Sequence, residues 1–439
     1  MNFYSGWGFR ESPFQVSALA ATDEGSRLFV GRLDSRQKLE MRLASGDRIV
    51  TIEGVNGVGK TSLVNVVAYL AYKKHVDGRG GPLLIPCVKA FQLDADKEKS
   101  ELVAEVYQEV AQSLIHYAEG LRAGKLADGI KPDGALAKWL NSPLISSRTG
   151  SVSLGLPTMG GGGVGIGVGG SFNTTEGFRG SGIQKLIKDT LGVIFAEAGS
   201  GGVVCVLDNL ELLQTSDAVR KQVEVLRDEL LTVPGFRWVL CGAPGIVHGV
   251  VSSPRLQGML YDPLEIAGIE LKSLEDVLSS RLSVFGQSQA YLPIGTMDFV
   301  SLCDILKGNL RAVLGMADDY CLWVAESGER PVTDIDKSNL FKQWLDDEIE
   351  KYFKSAESEV TQTAWGVFDK AVTKDGGFSP SSFAEFGFKN LQALRPYVKD
   401  LERAGLLVST TDEIDKRRKT VSVTPKGWLV SEARIRSQK

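Results

Sequence analysis

The sequence predicts an α/β fold: a parallel-sheet core with a phosphate-binding loop, then a helical unit, then a separate C-terminal domain. Three observations predict it. A β-branched run at 48–53 leads into residues 54–61, GVNGVGKT, which fit G-x-x-x-x-G-K-[ST], and 62–70 reads as a helix. Apolar runs at 83–91, 203–208 and 236–242 alternate with helix-period segments, and strands that alternate with helices build a parallel sheet. From Ser273 to about Glu350 the pattern is helical, and the last 85 residues read as a unit of their own.

Taken in order, residues 1–30 are a lead-in and 34–43 a short helix. After the loop and its helix, 95–121 places Leu102, Val106, Val110 and Leu114 at helical spacing. Residues 123–148 are mixed, with one short helix near 136–140. Residues 150–171 alternate Val152, Leu154, Leu156 and then Val164, Ile166, Val168 around a glycine cluster. That is either a β-hairpin with a flexible tip or a disordered glycine linker. Helices at 183–198 and 216–231 flank the run 203–208, and 266–271 reads as one more strand. Residues 328–336 look like a linker before an acidic amphipathic helix at 338–353. The expected division is a core at 1–271 with its insertion at 150–171, a helical lid at 272–336, a linker helix at 337–354 and a final domain at 355–439.

Composition narrows the function classes. The chain of 439 residues is 43% hydrophobic and 24% charged, ordinary for a protein with real cores. A net charge of −4 gives no overall nucleic-acid footprint. The charge is uneven, however. Residues 355–439 hold 14 Lys/Arg and 11 Asp/Glu, a net of +3, which leaves −7 on the rest. Cys87, Cys205, Cys241, Cys303 and Cys321 are scattered among apolar residues without a CxxC, and there are three histidines. That argues against a zinc site or disulfide framework and for a reducing, cytoplasmic setting. The opening MNFYSGWGFRESPF lacks a basic-then-apolar signal pattern, and no apolar run approaches membrane-spanning length, so no membrane association is expected.

The loop's spacing follows from its chemistry. Glycines let successive backbone N–H groups turn inward around a polyphosphate, and the following helix adds partial positive charge at its N-terminus. Gly54, Asn56, Gly57, Val58, Gly59, Lys60, Thr61 and Ser62 are the expected contacts to a nucleoside triphosphate, ATP. Lys60 would reach the β- and γ-phosphates, and Thr61 would hold Mg²⁺. The run 203–208 ends in Asp208, whose carboxylate fits the second motif of phosphate-loop enzymes and would hold the Mg²⁺ hydration shell. Hydrolysis also needs a group that orients water. Asn209 stands where a glutamate is usual, so Glu211 is the candidate base, the alternative being a surface glutamate and slow turnover.

Together, Phe29-Val30-Gly31-Arg32, the phosphate loop, Asp208-Asn209-Leu210-Glu211 and Gly308-Asn309-Leu310-Arg311 resemble the AAA+ ATPases. The initiator branch, with the origin-recognition and replication-initiation proteins, is the nearest in pattern over about 25–325, and the STAND signalling ATPases share much of it. The resemblance implies that Val30, Gly31 and Arg32 border the adenine. It implies that Arg311 is a sensor arginine of the lid and that Arg255 is a finger reaching a neighbour's nucleotide. Two departures are visible. The strand expected to carry the first polar sensor ends in Cys241-Gly242, and the usual glutamate base is displaced or missing. Both bear on the speed of hydrolysis rather than on binding.

Residues 358–430 are similar to the winged helix-turn-helix of MarR-type regulators. Helices are expected at 360–372, from Phe378-Ser379-Pro380 onward, and at 392–404, stopped by Gly405. Wing strands follow at 406–409 and 420–424, and Pro425-Lys426-Gly427 closes the unit. Gln392, Arg395 and Lys399 on the third helix and Lys416, Arg417, Arg418 and Lys419 at the wing tip are the expected DNA contacts. The other reading is a unit that packs on the ATPase or on a protein partner. The whole sequence thus reads as a slow ATPase that self-associates through shared ATP sites and binds DNA. A signalling or defence ATPase with an interaction module is the alternative, and a nucleotide-bound scaffold a third.

Overall fold

The computed structural model describes residues 3–46, 48–94, 97–123, 181–196, 201–213, 216–411 and 419–437. The hairpin-or-linker segment 150–171, the short helix near 136–140 and the wing-tip residues Lys416, Arg417 and Arg418 lie outside them.

The chain opens with a 3₁₀ turn, Phe3–Trp7, then α1 (Asp23–Leu28) and α2 (Leu33–Ser45). Strand β1 (Val50–Glu53) feeds the phosphate loop and α3 (Lys60–Val76). The expected strand at 83–91 is two short ones, β2 (Leu83–Pro86) and β3 (Phe91–Gln92), both paired to β4 (Gly201–Asp208) at different heights. Helices α4 (Lys99–His116), α5 (Ala118–Ala123) and α6 (Ser181–Ile194) lie between them in sequence. Then come α7 (Ser216–Leu226), closed by a π-helical turn over Arg227–Leu231, strand β5 (Phe236–Gly242) and α8 (Ile246–Val251). The last core strand, β6, is Leu264–Glu265 rather than 266–271. The reason is visible at its end. Ile266 N–H still donates to Glu53 O (2.7 Å), but Ile269 N–H already donates to Gly308 O (3.1 Å), so the chain has left the sheet for the helical unit.

The sheet is parallel throughout, in the order β2-β4-β5-β1-β6. Alternation along β4 decides the layers. Val204 and Val206 pack with Leu39 and Leu43 of α2 and Leu63, Val64 and Val67 of α3. Val203, Cys205 and Leu207 face the other way, against α4, α6, α7 and α8. With helices on both faces the strands are apolar along their whole length, as buried parallel strands require. The α/β fold class read from the sequence, a phosphate-loop parallel-sheet core followed by helices, is the fold observed.

The helical unit holds α9 (Leu274–Phe285), α10 (Thr296–Ile305) and α11 (Leu310–Ser327), followed by α12 (Asp334–Glu357). Helix α12 begins inside the expected linker because Thr333 and Asp336 form a capping box there. The N-terminal aromatics belong to this unit. Tyr4, Phe9 and Phe14 are buried against Phe285, Phe299 and Leu314, and the Tyr4 hydroxyl donates to Asp318 Oδ1 (2.6 Å).

The C-terminal unit holds α13 (Gln362–Thr373), β7 (Gly377–Phe378), α14 (Leu391–Arg403), β8 (Leu407–Thr411), β9 (Lys419–Val423) and α15 (Pro425–Ser437). Its sheet is antiparallel, ordered β7-β9-β8. The helix expected from Ser379-Pro380 is only a 3₁₀ turn, Pro380–Ser382, with further turns. Those turns run on to Gly387, which is in the left-handed region, and Phe388 N–H returns to Phe383 O (3.1 Å).

Helix α15 was not expected. Pro425-Lys426-Gly427 reads as a stop, yet Pro suits a first helical turn, and Gly427 is there because a Cβ would lie 2.4 Å from Leu406 O. This helix joins the two units. Trp428 and Val430 lie in the C-terminal core and Leu429 in the core of the helical unit. Arg434 forms a two-pronged pair with Asp369 of α13 (2.7 and 2.6 Å), and Arg436 pairs with Asp346 of α12. Burying Leu429 contributes about 1.5–3 kcal/mol to the joint. Among the described residues no helix is long and apolar enough to cross a membrane.

Candidate functional site

The site forms where α/β sheets usually bind ligands, beyond the C-terminal ends of the strands. The loop after β1 and the aspartate ending β4 flank β5, so helix α3 starts beside the end of β4. Gly57 and Gly59 adopt φ of +86° and +94°, turning the loop back on itself before Lys60 opens the helix. Lys60 is only 5% exposed, and its ammonium donates to Gly54 O (2.8 Å) and to Val55 O (3.4 Å). The Thr61 hydroxyl donates to the Asp208 carboxylate, and Asn209 N–H caps the other carboxylate oxygen (2.9 Å). The two expected metal-holding side chains are therefore in direct contact, although 147 residues separate them.

A cleft open to solvent lies over this loop. Asn56 to Ser62, Asp208, Val30, Arg32 and Arg311 all line it. Gly54 and Gly31 do not. Gly54 supplies the carbonyl that holds Lys60, and Gly31 faces Ser273, where a Cβ would lie 3.1 Å from the hydroxyl. Arg32 does more than border the cleft: its guanidinium donates to Val58 O (2.7 Å) and so braces the loop from outside. Burial lowers the pKa of this arginine.

The helical unit closes the opposite wall. Asn309 caps α11, its Oδ1 accepting from Ala312 N–H (3.2 Å), while its Nδ2 donates to Asn56 O (2.9 Å). Arg311 N–H donates to Gly57 O (3.3 Å). Arg311 itself is exposed, with its side chain at the cleft.

Glu211 lies in a 3₁₀ turn just past β4. Its Oε2 accepts from Ala243 N–H (3.0 Å), which ties it to the end of β5, and its Oε1 is buried without a partner. Cys241 of β5 is buried, its thiol pushed well up in pKa first by burial and then by the Asp208 charge. Arg255 does not line the cleft. It follows α8, its side chain 69% exposed, 3.9 Å from Glu224 of α7. In the C-terminal unit Gln392, Arg395 and Lys399 are exposed on α14. Lys419 opens β9.

Three contributors escaped sequence reading. The first is the N-terminal strap, whose Val16, Ser17, Ala18 and Leu19 form a wall of the cleft. Leu19 N–H donates to Ser62 Oγ (3.0 Å) and Asn65 Nδ2 to Leu19 O (2.9 Å), so Ser62 serves the strap. The second is Arg281 of α9, buried at the cleft. The third is the Asn309 bridge. Asn309 has a capping signature in the sequence; the other two have no local signal.

The residues fit a nucleoside triphosphate with Mg²⁺. At the phosphate end of the cleft, Arg32, Lys60 and Arg311 line the walls with one carboxylate, Asp208, a balance that suits a polyanion. Among the described residues no cluster of three His, Cys, Asp or Glu side chains can hold a metal by itself. One hydroxyl and one carboxylate are the donor set of a cation that takes its remaining ligands from phosphates and water, as Mg²⁺ does.

No family model and no curated protein matches the chain. Among solved structures it is similar to the Aeropyrum pernix ORC2 protein in ADPNP-ADP complexes, at 10% identity over 97% of this chain and 99% of that one, with a TM-score of 0.45. It is similar to the Walker-type ATPase PABY2304 of Pyrococcus abyssi, at 12% identity over 96% and 99%, TM-score 0.45. It is also similar to the Aeropyrum pernix ORC1 protein in complex with DNA, at 12% identity over 93% and 94%, TM-score 0.41. At likenesses this low the chemistry of the site has to be taken from its own side chains.

The contact between loop and helical unit gives a first prediction. A Cβ on Gly57 would lie 2.4 Å from Asn309 Oδ1 and 2.9 Å from Arg311 Cβ, at a φ that side chains rarely adopt. Gly57→Ala is expected to destabilise the protein by about 1–3 kcal/mol in urea unfolding and to loosen residues 309–312 in amide exchange. Unchanged stability and exchange would mean that the two surfaces do not meet.

Proposed function

We propose that this chain is an ATPase of the AAA+ type that binds ATP with Mg²⁺ between the phosphate loop and the helical unit. It hydrolyses the nucleotide slowly, self-associates through shared sites, and contacts DNA through a C-terminal winged helix. The observation that carries the reading is the meeting of Lys60, Thr61 and Asp208 under the N-terminus of α11, which bears Arg311.

Lys60 moves from the loop carbonyls to the β- and γ-phosphates, and the N-terminus of α3 faces the same charge. Thr61 and Asp208 hold Mg²⁺, which supplies positive charge to the phosphates when bound. Glu211 orients water through Oε1 while Oε2 stays on Ala243 N–H. That tether, with Asn209 and Cys241 in the neighbouring positions, supports slow turnover. Arg255 is exposed and held away from the cleft of its own chain, which supports a role at a neighbour's nucleotide.

The winged-helix reading rests on α13, the turn at 380–382, α14 and the antiparallel sheet, with α14 presenting Gln392, Arg395 and Lys399 outward. A second reading, a unit that serves as an interaction module in a signalling ATPase, is favoured by α15, which buries Leu429 in the helical unit. That docking leaves the outer face of α14 exposed, so DNA contact is the preferred reading.

Lys60→Ala is expected to reduce ATP affinity below detection in titration calorimetry, because no other ammonium lines the cleft among the described residues; wild-type affinity would overturn the phosphate-loop assignment. ATP is expected to increase the mass seen by light scattering, and Arg255→Ala to reduce that increase. A wild type that stays monomeric with and without ATP would end the shared-site idea. Replacing Lys416, Arg417, Arg418 and Lys419 together with alanine is expected to weaken duplex binding. The log–log salt slope should fall by about 0.9 for each phosphate that the variant no longer neutralises. If affinity and slope both stay put, the unit is an interaction module.

A further inference from the structure

Arg281 is the group in the cleft to which ATP binding and hydrolysis assign no role. It is 3% exposed and projects from the middle of α9. One terminal nitrogen donates to Pro13 O of the strap (2.9 Å). Nε is buried with no partner, and no charged group among the described residues acts on this guanidinium. Burial brings its pKa down to about 10, so it stays cationic at neutral pH. A buried cation without a counter-charge is expensive to keep, and such a group normally meets an acceptor when its site is filled.

Its surroundings say which end of a nucleotide it meets. The phosphate end of the cleft is fixed by Gly57 to Thr61. Arg281 lines the cleft together with Leu28, Ile269, Val277 and Leu314, side chains that cannot solvate phosphates but can sandwich a flat ring. An arginine set at the edge of such an apolar slot offers in-plane N–H donors to ring acceptors.

We propose that Arg281 reads the nucleobase, donating a charge-assisted hydrogen bond to a ring-nitrogen acceptor of a purine held between the strap and α9. This rests on the nucleotide reading of the cleft. The purine is favoured over a pyrimidine because its second ring extends further from the fixed phosphates toward the far wall. The bond to Pro13 makes the same residue hold the strap, so base recognition and strap position are set by one side chain.

The test compares three ligands, Mg–ATP, Mg–CTP and Mg–tripolyphosphate, on the wild type, Arg281→Met, Arg281→Lys and Lys60→Ala, by calorimetry and by thermal unfolding. The wild type is expected to prefer ATP to CTP. Arg281→Met is expected to lose roughly 10- to 100-fold in ATP affinity. It should bind tripolyphosphate as the wild type does, and unfold at a higher temperature than the wild type when no ligand is added, because an uncompensated buried charge is gone. Arg281→Lys keeps the charge and a donor for Pro13 but not the planar fork, so it should fold and still lose the preference for ATP. Lys60→Ala should lose all three ligands.

Arg281 variants that lose ATP and tripolyphosphate equally, or that keep the wild-type ATP-to-CTP ratio, overturn the proposal and leave the nucleotide site standing. So does a wild type with no preference between ATP and CTP. A wild type that binds none of the three removes the nucleotide reading itself and this proposal with it.

Discussion

The structure depends on one close approach, the N-terminus of α11 against the phosphate loop. Asn309 caps its helix with one amide atom and holds Asn56 O with the other, and Arg311 N–H holds Gly57 O. These bonds fix where the helical unit sits over the parallel sheet, and so define the cleft. They require a glycine at 57, since any Cβ would displace Asn309. They also bring the loop's turned amides, Lys60 and Arg311 to one place. Like charges gathered there are tolerable only beside something negative, and Asp208 is the lone carboxylate at the cleft among the described residues.

The closure extends beyond the cleft along the chain itself. The strap begins on the helical unit at Tyr4 and Phe14, passes Arg281 at Pro13, and ends on α3 through Ser62 and Asn65. It therefore touches both walls. At the other end α15 fastens the C-terminal unit to the helical unit through Leu429 and Arg436. A shift of α11 relative to the loop thus has a path of packed side chains to the strap and to α14, whose outer face is exposed.

Much of this is legible in the sequence. The loop, Asp208 and the order of strands and helices can be read because their chemistry is local: a phosphate cradle needs its residues at fixed spacing, and a buried strand needs an apolar run. The misreadings are tertiary. Nothing local distinguishes Arg281 from a solvated arginine on an amphipathic helix; only the packing of strap and α9 buries it. The strap has no period to recognise, and its aromatics acquire meaning only against α9 and α11. Pro425-Lys426-Gly427 reads as a stop because Gly427 answers to a distant carbonyl, Leu406 O, rather than to its own helix. At 380–382 the cap at Ser379 starts only a 3₁₀ turn, and the turns that follow end at Gly387 before a helix forms.

Hydrogen exchange followed by mass spectrometry, with and without Mg–ATP, tests the central claim most directly, because it watches both walls at once. Amides at 54–61 and at 309–314 are expected to gain protection together, with the strap at 14–19 following them, while the sheet interior is unchanged. Protection confined to one wall, or none at any of the three, would contradict a nucleotide site shared by the phosphate loop and the helical unit.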